Sequence, residues 1–399
     1  MNEVRIKPSV LSGEIAVPPS KSAAHRLIIA AGLSGGGSVV KNVAASEDIC
    51  ATIGAVRALG SDISLSDKTV RTRGFSARKA DKITIDCNES GSTLRFMIPI
   101  ALALGGRYEL FGRGRLLKRP LDAYLEIFRR DWIDFKRYDD RIELCGRLAG
   151  GEYRVRGDVS SQFVTGLLFA LPLLPEASRI TLTTPLESAG YVDMTLEALS
   201  AAGICVTRDG SGFYVRGGQS YRSFCAEVEG DYSQAAFYLA ANAMGSSVKL
   251  TGLSADSRQG DREIIKIIEY LKAGGEKTID VRQIPDLVPI RATLATQCEG
   301  VTSIVNAGRL RIKESDRLSA VTSELTRMGA DVGELSEGLV IRGKTPLHGA
   351  HCDSHNDHRI AMAVAVAATV AEGETVIDGA DCVKKSYGNF WEDYFSLKK

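Results

Sequence analysis

Six stretches of the chain share one order of polar and apolar positions. Each starts with Ser, Asp or Asn, continues with about three helical turns of mostly apolar residues, and ends in a small-residue break and a β-branched run. The six stretches begin at Ser20, Ser90, Ser160, Asp231, Asp286 and Asn356. Because the first residue suits a helix cap and the apolar positions are nearly continuous, the pattern predicts six buried helices, each followed by a strand.

The residues around each predicted helix extend the repeat. A short extended piece precedes the helix, such as GEIAVPP in copy one and CAEVEG in copy four, and in most copies a one-sided amphipathic helix and a hairpin follow. The repeat is therefore a β-α-β-α-β-β unit of roughly 50 to 75 residues. Copy four is the shortest, and we expect it to lack part of its hairpin. The fold class predicted is α/β, or α+β.

The phase of the repeats predicts two domains. Copies one to three make up residues 15–226, and copies four to six make up residues 227–399, which a strand from residues 1–14 completes. The start of each buried helix presents unpaired N–H groups and the positive end of the helix dipole. If these helix starts converge from both domains, the cleft between the domains becomes an anion-binding active site.

The overall charge argues against a general polyanion binder. The 399 residues contain 50 Lys and Arg against 49 Asp and Glu, whereas binding to nucleic acid or to an anionic membrane rests on excess positive charge. We find no apolar stretch long enough for a signal peptide or a membrane span, and the eight cysteines include no CxxC pair. We therefore expect a cytoplasmic protein with free thiols.

Basic residues stand at or near the predicted helix starts, among them Lys21, Arg26, Arg95 and Arg359. Each alone could be a solvated cation, but several together oppose the helix dipoles and would not be placed there for stability. An anionic ligand reverses that cost, and guanidinium groups suit carboxylates and phosphates. Since the chain has neither GxxxxGK[ST] nor a GxGxxG after a strand, small phosphorylated acids fit better than nucleotides.

Several motifs resemble those of the EPSP synthase family. They are PPSKSAAHR at 18–26, ESGSTLR at 89–95, RLLKRP at 115–120, GDVSSQF at 157–163, IPD at 284–286, RIKESDR at 311–317, NDHR at 356–359 and KSY at 385–387. The resemblance implies two inside-out α/β barrel domains that close over the substrates. It also implies that the enolpyruvyl group of phosphoenolpyruvate passes to the 5-hydroxyl of 3-phosphoshikimate, with no metal, organic cofactor, nucleic acid or membrane involved. We expect a monomer.

The resemblance also implies roles for residues at the matching positions. The 3-phosphoshikimate-binding set is Lys21, Ser22, Arg26, Ser160, Ser161, Gln162, Ser188, Tyr191, Asp286 and Lys313. The phosphoenolpyruvate-binding set is Lys21, Gly91, Arg95, Arg119, Gln162, Arg317, Arg359 and Lys385. Addition of the hydroxyl to the enol needs a base and an acid, which the resemblance assigns to Asp286 and Glu314, with Lys21 sharing in either transfer. Without the resemblance, Asp286 would be a helix cap, Glu314 a surface residue and Gly91 a plain turn.

The chain departs from the family pattern at a few positions. Glu89 and Arg309 replace residues that are commonly Asn, the segment 129–135 lacks the usual Leu-Gly-Ala turn, and Gly388 replaces a common Pro. These departures bear on local geometry more than on function.

Three other interpretations remain open from the sequence. His348, His351, Cys352, His355 and His358 are close together in the chain and could bind zinc, although they do not share one helical face. A related enolpyruvyl transferase acts on UDP-N-acetylglucosamine, but its family pattern has Lys-Asn where this chain has Lys21-Ser22, and a Cys in the loop that is GRGRLLKRP here. A non-catalytic repeat protein that binds anions or RNA would show steep salt dependence.

Overall fold

The computed structural model describes residues 2–210 and 212–398. Its strands are β1 (Glu3–Ile6), β2 (Ser12–Ala16), β3 (Val39–Lys41), β4 (Ser61–Ser66), β5 (Thr69–Phe75), β6 (Ile83–Asp86), β7 (Gly106–Phe111), β8 (Asp134–Arg137), β9 (Arg141–Gly146), β10 (Gly151–Val155), β11 (Ser178–Leu182), β12 (Val206–Asp209), β13 (Gly212–Val215), β14 (Cys225–Glu227), β15 (Ser247–Thr251), β16 (Lys277–Asp280), β17 (Gly300–Val305), β18 (Asp331–Leu335), β19 (Gly338–Gly343), β20 (His351–Asp353) and β21 (Thr375–Asp378). Its α-helices are α1 (Lys21–Gly32), α2 (Glu47–Leu59), α3 (Gly91–Leu104), α4 (Asp122–Arg130), α5 (Ser161–Ala170), α6 (Ala189–Ala201), α7 (Tyr232–Ala243), α8 (Ile264–Lys272), α9 (Val288–Thr296), α10 (Arg317–Arg327), α11 (His358–Ala367) and α12 (Phe390–Ser396). Within those ranges no helix has the length and apolar composition needed to cross a membrane.

The chain forms two compact units. Unit 1 contains residues 1–18 and 230–399, and unit 2 contains residues 19–229. Each unit has its own hydrophobic core, formed largely by one helix from each copy of the repeat. These helices are α1, α3 and α5 in unit 2 and α7, α9 and α11 in unit 1. Helices lie inside and strands outside, so the predicted α/β architecture with inside-out barrels is confirmed.

Unit 2 contains three sheets of the same topology. Their strand orders are β14-β3-β5-β4, β6-β7-β9-β8 and β10-β11-β13-β12. In each sheet the first two strands are parallel, and the third and fourth form the antiparallel hairpin of the repeat. Among the described residues of unit 1, only copy five forms the same sheet, β16-β17-β19-β18.

Two first strands are exchanged between copies, which the sequence did not predict. Strand β2, assigned to copy one, pairs in parallel with β15 of copy four, whereas β14, assigned to copy four, pairs with β3 of copy one. The boundaries between the two units lie at 18/19 and 229/230. Residues up to Ala16 are held by β15, and residues up to Glu227 are held by β3.

Copy four lacks its whole hairpin rather than part of it, because α8 leads directly into β16. In copy six, β1 pairs antiparallel with β21, at the position where the second hairpin strand lies in a complete copy. The N-terminal residues of the chain therefore supply strands to two incomplete sheets of unit 1.

The segment 129–135 keeps the usual turn despite its unusual sequence. Trp132 follows α4 with φ +54°, the left-handed conformation that Gly203 and Gly329 adopt after α6 and α10. The Trp132 side chain is 91% exposed. A bulky residue therefore takes a backbone conformation that favours glycine, without packing that would compensate.

Candidate functional site

In unit 2, the start of α1 presents a lysine anchored by a neighbouring carboxylate. The Ser20 side chain caps the helix by accepting from the N–H of Ala23, as the sequence predicts. Lys21 Nζ then donates to Asp48 Oδ2 at 2.9 Å, and both side chains are mostly buried. Asp48 lies in the first turn of α2, so α1 and α2 together fix the position of the lysine.

Arg26 lies one turn further along α1 and is almost fully buried. Its guanidinium donates to the Tyr191 carbonyl at 2.9 Å, to Thr195 Oγ1 at 2.8 Å and to the Ser22 carbonyl at 2.7 Å. Among residues 2–210 and 212–398, no carboxylate pairs with it. Burial lowers the pKa of Arg26 to about 10. A buried cation held only by neutral acceptors is suited to bind an anion.

The start of α3 brings together four residues of the predicted phosphoenolpyruvate set. Arg95 NH1 donates to Gln162 Oε1 at 2.7 Å, and Gln162 Nε2 donates to Ser92 Oγ at 2.9 Å. Arg119 approaches Gly91 so closely that a Cβ on Gly91 would lie 2.6 Å from Arg119 NH1. Gly91 is therefore no plain turn glycine, because its missing side chain makes room for a guanidinium.

The other predicted residues of unit 2 lie at the starts of α5 and α6. The Ser160 side chain caps α5 by accepting from the N–H of Gln162, and Ser161 is buried in its first turn. Ser188 precedes α6 in the left-handed conformation, with φ +57°, and Tyr191 lies in the first turn of that helix. A left-handed serine is strained backbone of the kind that often occurs at functional sites.

In unit 1, Arg317 is the centre of a buried network of charges. Its guanidinium donates to Asp286 Oδ1 at 2.8 Å, to Glu314 Oε2 at 2.8 Å and to Asp357 Oδ2 at 2.7 Å. Ser315 donates to the same Asp357 oxygen at 3.1 Å. The Arg317 side chain is 2% exposed. Three carboxylates around one buried guanidinium hold its orientation firmly.

Asp286 lies among cations. Lys313 Nζ is 3.3 Å from Oδ1, Arg359 NH2 is 3.6 Å from Oδ2, and Arg359 NH1 donates to the Asp286 carbonyl at 3.0 Å. Burial would raise the pKa of Asp286, but Lys313, Arg359 and Arg317 hold it well below its usual value. Burial lowers the pKa of Lys313, against the attraction of Asp286. The carboxylate is therefore ionised and surrounded by groups that can also bind an anion.

Lys385 completes the predicted set of unit 1. It is 6% exposed, and its Nζ donates to the Asn356 carbonyl at 2.9 Å. Asn356 and the preceding His355 both have positive φ values. The loop before α11 therefore turns its backbone toward the lysine.

Two predicted helix caps are wrong. The sixth buried helix is capped by Asp357, whose Oδ1 accepts from the N–H of Arg359 at 2.9 Å, and not by Asn356. Asp286 is no cap of the fifth buried helix, because it lies in the 3₁₀ turn Pro285–Leu287 before α9 and its carboxylate faces Arg317.

Sequence reasoning missed three side chains that hold the predicted ones in place. Asp48 orients Lys21, whereas Asp357 and Ser315 orient Arg317. Asp357 and Ser315 lie inside the NDHR and RIKESDR motifs, so their position beside predicted residues was an available signal. Asp48 had no such signal, because its contact with α1 is made across two helices.

The histidines near residue 350 contact different partners. His351 Nε2 lies 2.8 Å from Asp378 Oδ2, His355 Nε2 lies 2.8 Å from Glu324 Oε1, and His358 is buried in α11. No group of three or more His, Cys, Asp or Glu side chains in the described ranges could hold a metal ion. The described residues therefore give the zinc interpretation of this segment no support.

Glu89 and Arg309, which depart from the family pattern, make contacts within their own parts of the fold. The Glu89 carboxylate lies beside Gly114, where a Cβ would come within 2.9 Å of it. Arg309 NH2 donates to the Arg282 carbonyl at 2.6 Å.

Comparison with known proteins gives one consistent match. The family model described as EPSP synthase (3-phosphoshikimate 1-carboxyvinyltransferase) matches residues 6–278 and 273–394. A 3-phosphoshikimate 1-carboxyvinyltransferase of Clostridium kluyveri is 47% identical over 417 residues, which cover 100% of this chain and 97% of the relative. The protein of the same name from Clostridium perfringens is 45% identical over 417 residues, which cover 100% of this chain and 98% of the relative.

Solved structures match over the whole chain as well. EPSP synthase from Acinetobacter baumannii has a TM-score of 0.81 and 24% identity, and covers 100% of this chain and 98% of its own. The enolpyruvyl transferase NikO from Streptomyces tendae has a TM-score of 0.78 and 16% identity, and covers 98% and 96%. At these identities the structural likeness shows the fold alone.

Proposed function

The chain belongs to the EPSP synthase family, and from this we propose that it transfers the enolpyruvyl group of phosphoenolpyruvate to the 5-hydroxyl of 3-phosphoshikimate. The products are 5-enolpyruvylshikimate 3-phosphate and phosphate, a step of the shikimate pathway to aromatic amino acids. The observation that supports this best is the position of Asp286, a carboxylate among Lys313, Arg317 and Arg359. A base beside cations suits a hydroxyl that attacks an anionic enol phosphate.

Each unit contributes one part of the substrate-binding machinery in this proposal. In unit 2, the proposed phosphoshikimate-binding residues are Arg26, Ser160, Ser161, Ser188 and Tyr191, and the proposed phosphoenolpyruvate-binding residues are Gly91, Arg95, Arg119 and Gln162. Their positions in or near the first turns of helices support this assignment, and for Arg119 the support is its approach to Gly91. In unit 1, Lys313 binds phosphoshikimate, and Arg317, Arg359 and Lys385 bind phosphoenolpyruvate. Lys21 and Ser22 join from the first turn of α1. We propose that both sets bind the same pair of substrates.

The chemistry follows as addition and then elimination. Asp286 accepts the proton of the 5-hydroxyl while the hydroxyl oxygen bonds to C2 of phosphoenolpyruvate, and Glu314 donates a proton to the methylene C3. The resulting tetrahedral adduct then returns a proton from its new methyl group to Glu314 and expels phosphate, which takes up the proton held by Asp286, and the carbon–carbon double bond is regenerated. Arg317, Arg359 and Lys385 stabilise the charge that develops on the leaving phosphate. Lys21 shares in the proton transfers, and no step is assigned to a metal or an organic cofactor.

The low pKa of Asp286 in the free protein makes it a weak base, and substrate binding raises this pKa. Lys313 and Arg359 contribute most to the low pKa, and both are proposed to bind substrate anions. Once phosphate and carboxylate groups neutralise these cations, the pKa of Asp286 rises toward the range of a useful base. The base is thus activated when both substrates are in place.

The test of this function is phosphate release. The protein is incubated with phosphoenolpyruvate and either 3-phosphoshikimate or UDP-N-acetylglucosamine, and phosphate is measured over time. We expect release that depends on 3-phosphoshikimate, at the same rate after dialysis against a chelator. Release only with UDP-N-acetylglucosamine would move the protein to the related transferases, and release with neither would refute the proposal. Cell fractionation and sedimentation complete the test, with a cytoplasmic monomer expected.

A further inference from the structure

A buried histidine next to the proposed site has no part in the chemistry above. His25 lies in α1, between Lys21 one turn before it and Arg26 directly after it, and is 1% exposed. Burial lowers the pKa of His25 well below its usual value, and the charges of Lys21 and Arg26 lower it further. The imidazole is therefore neutral at neutral pH, so it does not act there as a charged ligand for a substrate.

The imidazole begins a chain of three side-chain hydroxyls. His25 Nδ1 lies 2.7 Å from Thr52 Oγ1 on α2, and Thr52 Oγ1 lies 2.7 Å from Thr93 Oγ1 on α3. Thr93 Oγ1 donates to Ser90 Oγ at 2.8 Å. Ser90 also caps α3 by accepting from the N–H of Thr93. The chain thus connects α1, α2 and the cap of α3 through buried atoms only.

The hydrogen bond from Thr93 to Ser90 determines the direction of the other hydrogen bonds in the chain. Thr93 gives its single hydroxyl proton to Ser90, so the bond between Thr93 and Thr52 must use the proton of Thr52. Thr52 can then only accept from His25, which therefore carries its proton on Nδ1. This leaves Nε2 as the unprotonated acceptor, and among the described residues Nε2 has no partner. A buried acceptor without a partner is more easily tolerated than a buried N–H.

We propose that His25 is a positioning residue. Through its hydrogen bonds to Thr52 and on to Thr93, it fixes the position of the start of α3 relative to the start of α1. The start of α3 carries Gly91 and Arg95, which we assign to phosphoenolpyruvate. The start of α1 carries Ser22 and Arg26, which we assign to phosphoshikimate. The hydroxyl chain therefore sets the distance between the groups that hold the two substrates, and in this sense the inference rests on the proposed function.

A second contact runs beside the hydroxyl chain. Lys21 and His25 are four residues apart on α1, and Asp48 and Thr52 are four residues apart on α2, so both pairs face each other across the two helices. The hydrogen bonds of the His25–Thr52 pair continue to Thr93 on α3, the helix that carries Gly91 and Arg95. The Arg26 guanidinium also lies 5.5 Å from the ring centre of Phe96 on α3, so the hydroxyl chain acts together with direct packing between these helices.

The experiment compares variants that remove a hydroxyl with variants that keep it. Thr52→Val and Thr93→Val have nearly the native shape but break the chain, whereas Thr52→Ser and Thr93→Ser retain the hydroxyl. The control is Thr72→Val, which removes another buried hydroxyl of unit 2, bonded to Ser38 and Gly36. We expect the KM for phosphoenolpyruvate to rise roughly tenfold in the Val variants, because small misplacements of binding groups have large effects. The KM for phosphoshikimate should change less than about twofold, and the Ser variants and Thr72→Val should resemble the wild type.

A purely structural role would appear as lower thermal stability with both KM values unchanged, and this result would overturn the proposal. An equal rise of KM in Thr72→Val would overturn it as well. If a Val variant does not fold, the Thr→Ala variant at the same position is measured at lower temperature with the same criteria.

Nitrogen NMR of the wild-type protein tests the chain without any assay of activity. The protein has five histidines, and the spectrum of His25→Gln identifies the signals of His25 by their loss. We expect the Nδ1–H tautomer of His25, unchanged from pH 5 to pH 8. The Nε2–H tautomer, or titration of the ring, would refute the hydroxyl chain even if the enzyme is active. The expected tautomer in a protein that releases no phosphate would refute the proposed function instead.

Discussion

Arg317 NH1 donates a hydrogen bond to Asp286 Oδ1 at 2.8 Å, so the proposed base is bound directly to a buried guanidinium. Because the same guanidinium is bound to Glu314 and Asp357, it cannot turn away when substrates arrive. The Asp286 carboxylate is thus fixed in place, and its basicity depends on the surrounding cations that we propose to bind the substrate anions.

Asp286→Asn should therefore remove turnover without removing binding. The amide cannot accept the hydroxyl proton, whereas Lys313 and Arg359 lose a competitor for the substrate anions. We expect the rate of phosphate release to fall by at least about 100-fold. The Kd of phosphoshikimate, measured by calorimetry, should stay the same or decrease. Near-normal turnover would contradict the assignment of Asp286 as the base.

Gly91→Ala should weaken phosphoenolpyruvate binding selectively. The new Cβ would lie 2.6 Å from Arg119 NH1, so the guanidinium must move away from the start of α3. We expect the KM for phosphoenolpyruvate to rise roughly tenfold and the KM for phosphoshikimate to stay the same. Gly54→Ala is the matched control, because Gly54 is helical and has open space around its Cβ position. If the KM for phosphoenolpyruvate is the same in both variants, the position of the Arg119 guanidinium does not depend on the missing side chain of Gly91.

Trp132→Gly should stabilise the protein. Trp132 has φ +54° after α4 and is 91% exposed, so its side chain adds strain and little packing. We expect the free energy of unfolding to rise by about 1 kcal/mol, the usual difference for the left-handed conformation. Urea denaturation measures it. Gly203→Ala should have the opposite effect, since Gly203 has φ +73° and its Cβ would meet Arg222 Cδ at 2.9 Å. A loss of stability in Trp132→Gly would refute this account.

Two fully buried arginines of unit 1 should respond in opposite ways to replacement by methionine. Arg291 in α9 is 0% exposed, and within the described residues none of its guanidinium nitrogens has a hydrogen-bond partner. Burial lowers its pKa to about 10, although Asp261 and Glu263 oppose the shift. We expect Arg291→Met to raise the free energy of unfolding by about 1–3 kcal/mol, because it removes a buried charge without hydrogen bonds.

Arg317→Met is the contrasting variant, since it leaves three carboxylates without their guanidinium. It should lower the free energy of unfolding by about 3–5 kcal/mol. If both variants destabilise the protein equally, Arg291 is satisfied by its surroundings and the prediction is wrong.

The pair of His355 and Glu324 should make stability depend on pH. The hydrogen bond that the protonated His355 ring donates to Glu324 raises the pKa of His355 above 6.5. Burial would raise the pKa of Glu324, but the hydrogen bond from His355 helps to hold it below 4.5. The stabilisation by His355 is complete below 6.5 and is lost as the pH rises through its folded pKa. The stabilisation by Glu324 is complete above 4.5 and is lost as the pH falls through its folded pKa.

We therefore expect the difference in free energy of unfolding between the wild type and His355→Gln to be largest near pH 5.5 and to shrink on either side. His351→Gln is the control, because His351 and Asp378 are more than half exposed and solvent screens their interaction. A difference that does not vary with pH would show that the pair is not ionised.

The sequence by itself determined the local features of this protein. The apolar runs predicted the buried helices, and four of the six caps, at Ser20, Ser90, Ser160 and Asp231, lie where the sequence places them. The motifs identified the family, because helix starts and their side chains depend on residues close together in the chain.

Only the tertiary structure decided the relationships between distant segments. The exchange of β2 and β14, the approach of Arg119 to Gly91, the carboxylates around Arg317 and the chain from His25 to Ser90 join residues far apart in sequence. Their hydrogen bonds depend on how helices and strands from distant parts of the chain pack together. Packing of the two cores selects one arrangement of strands and side chains, and no local sequence pattern specifies this arrangement.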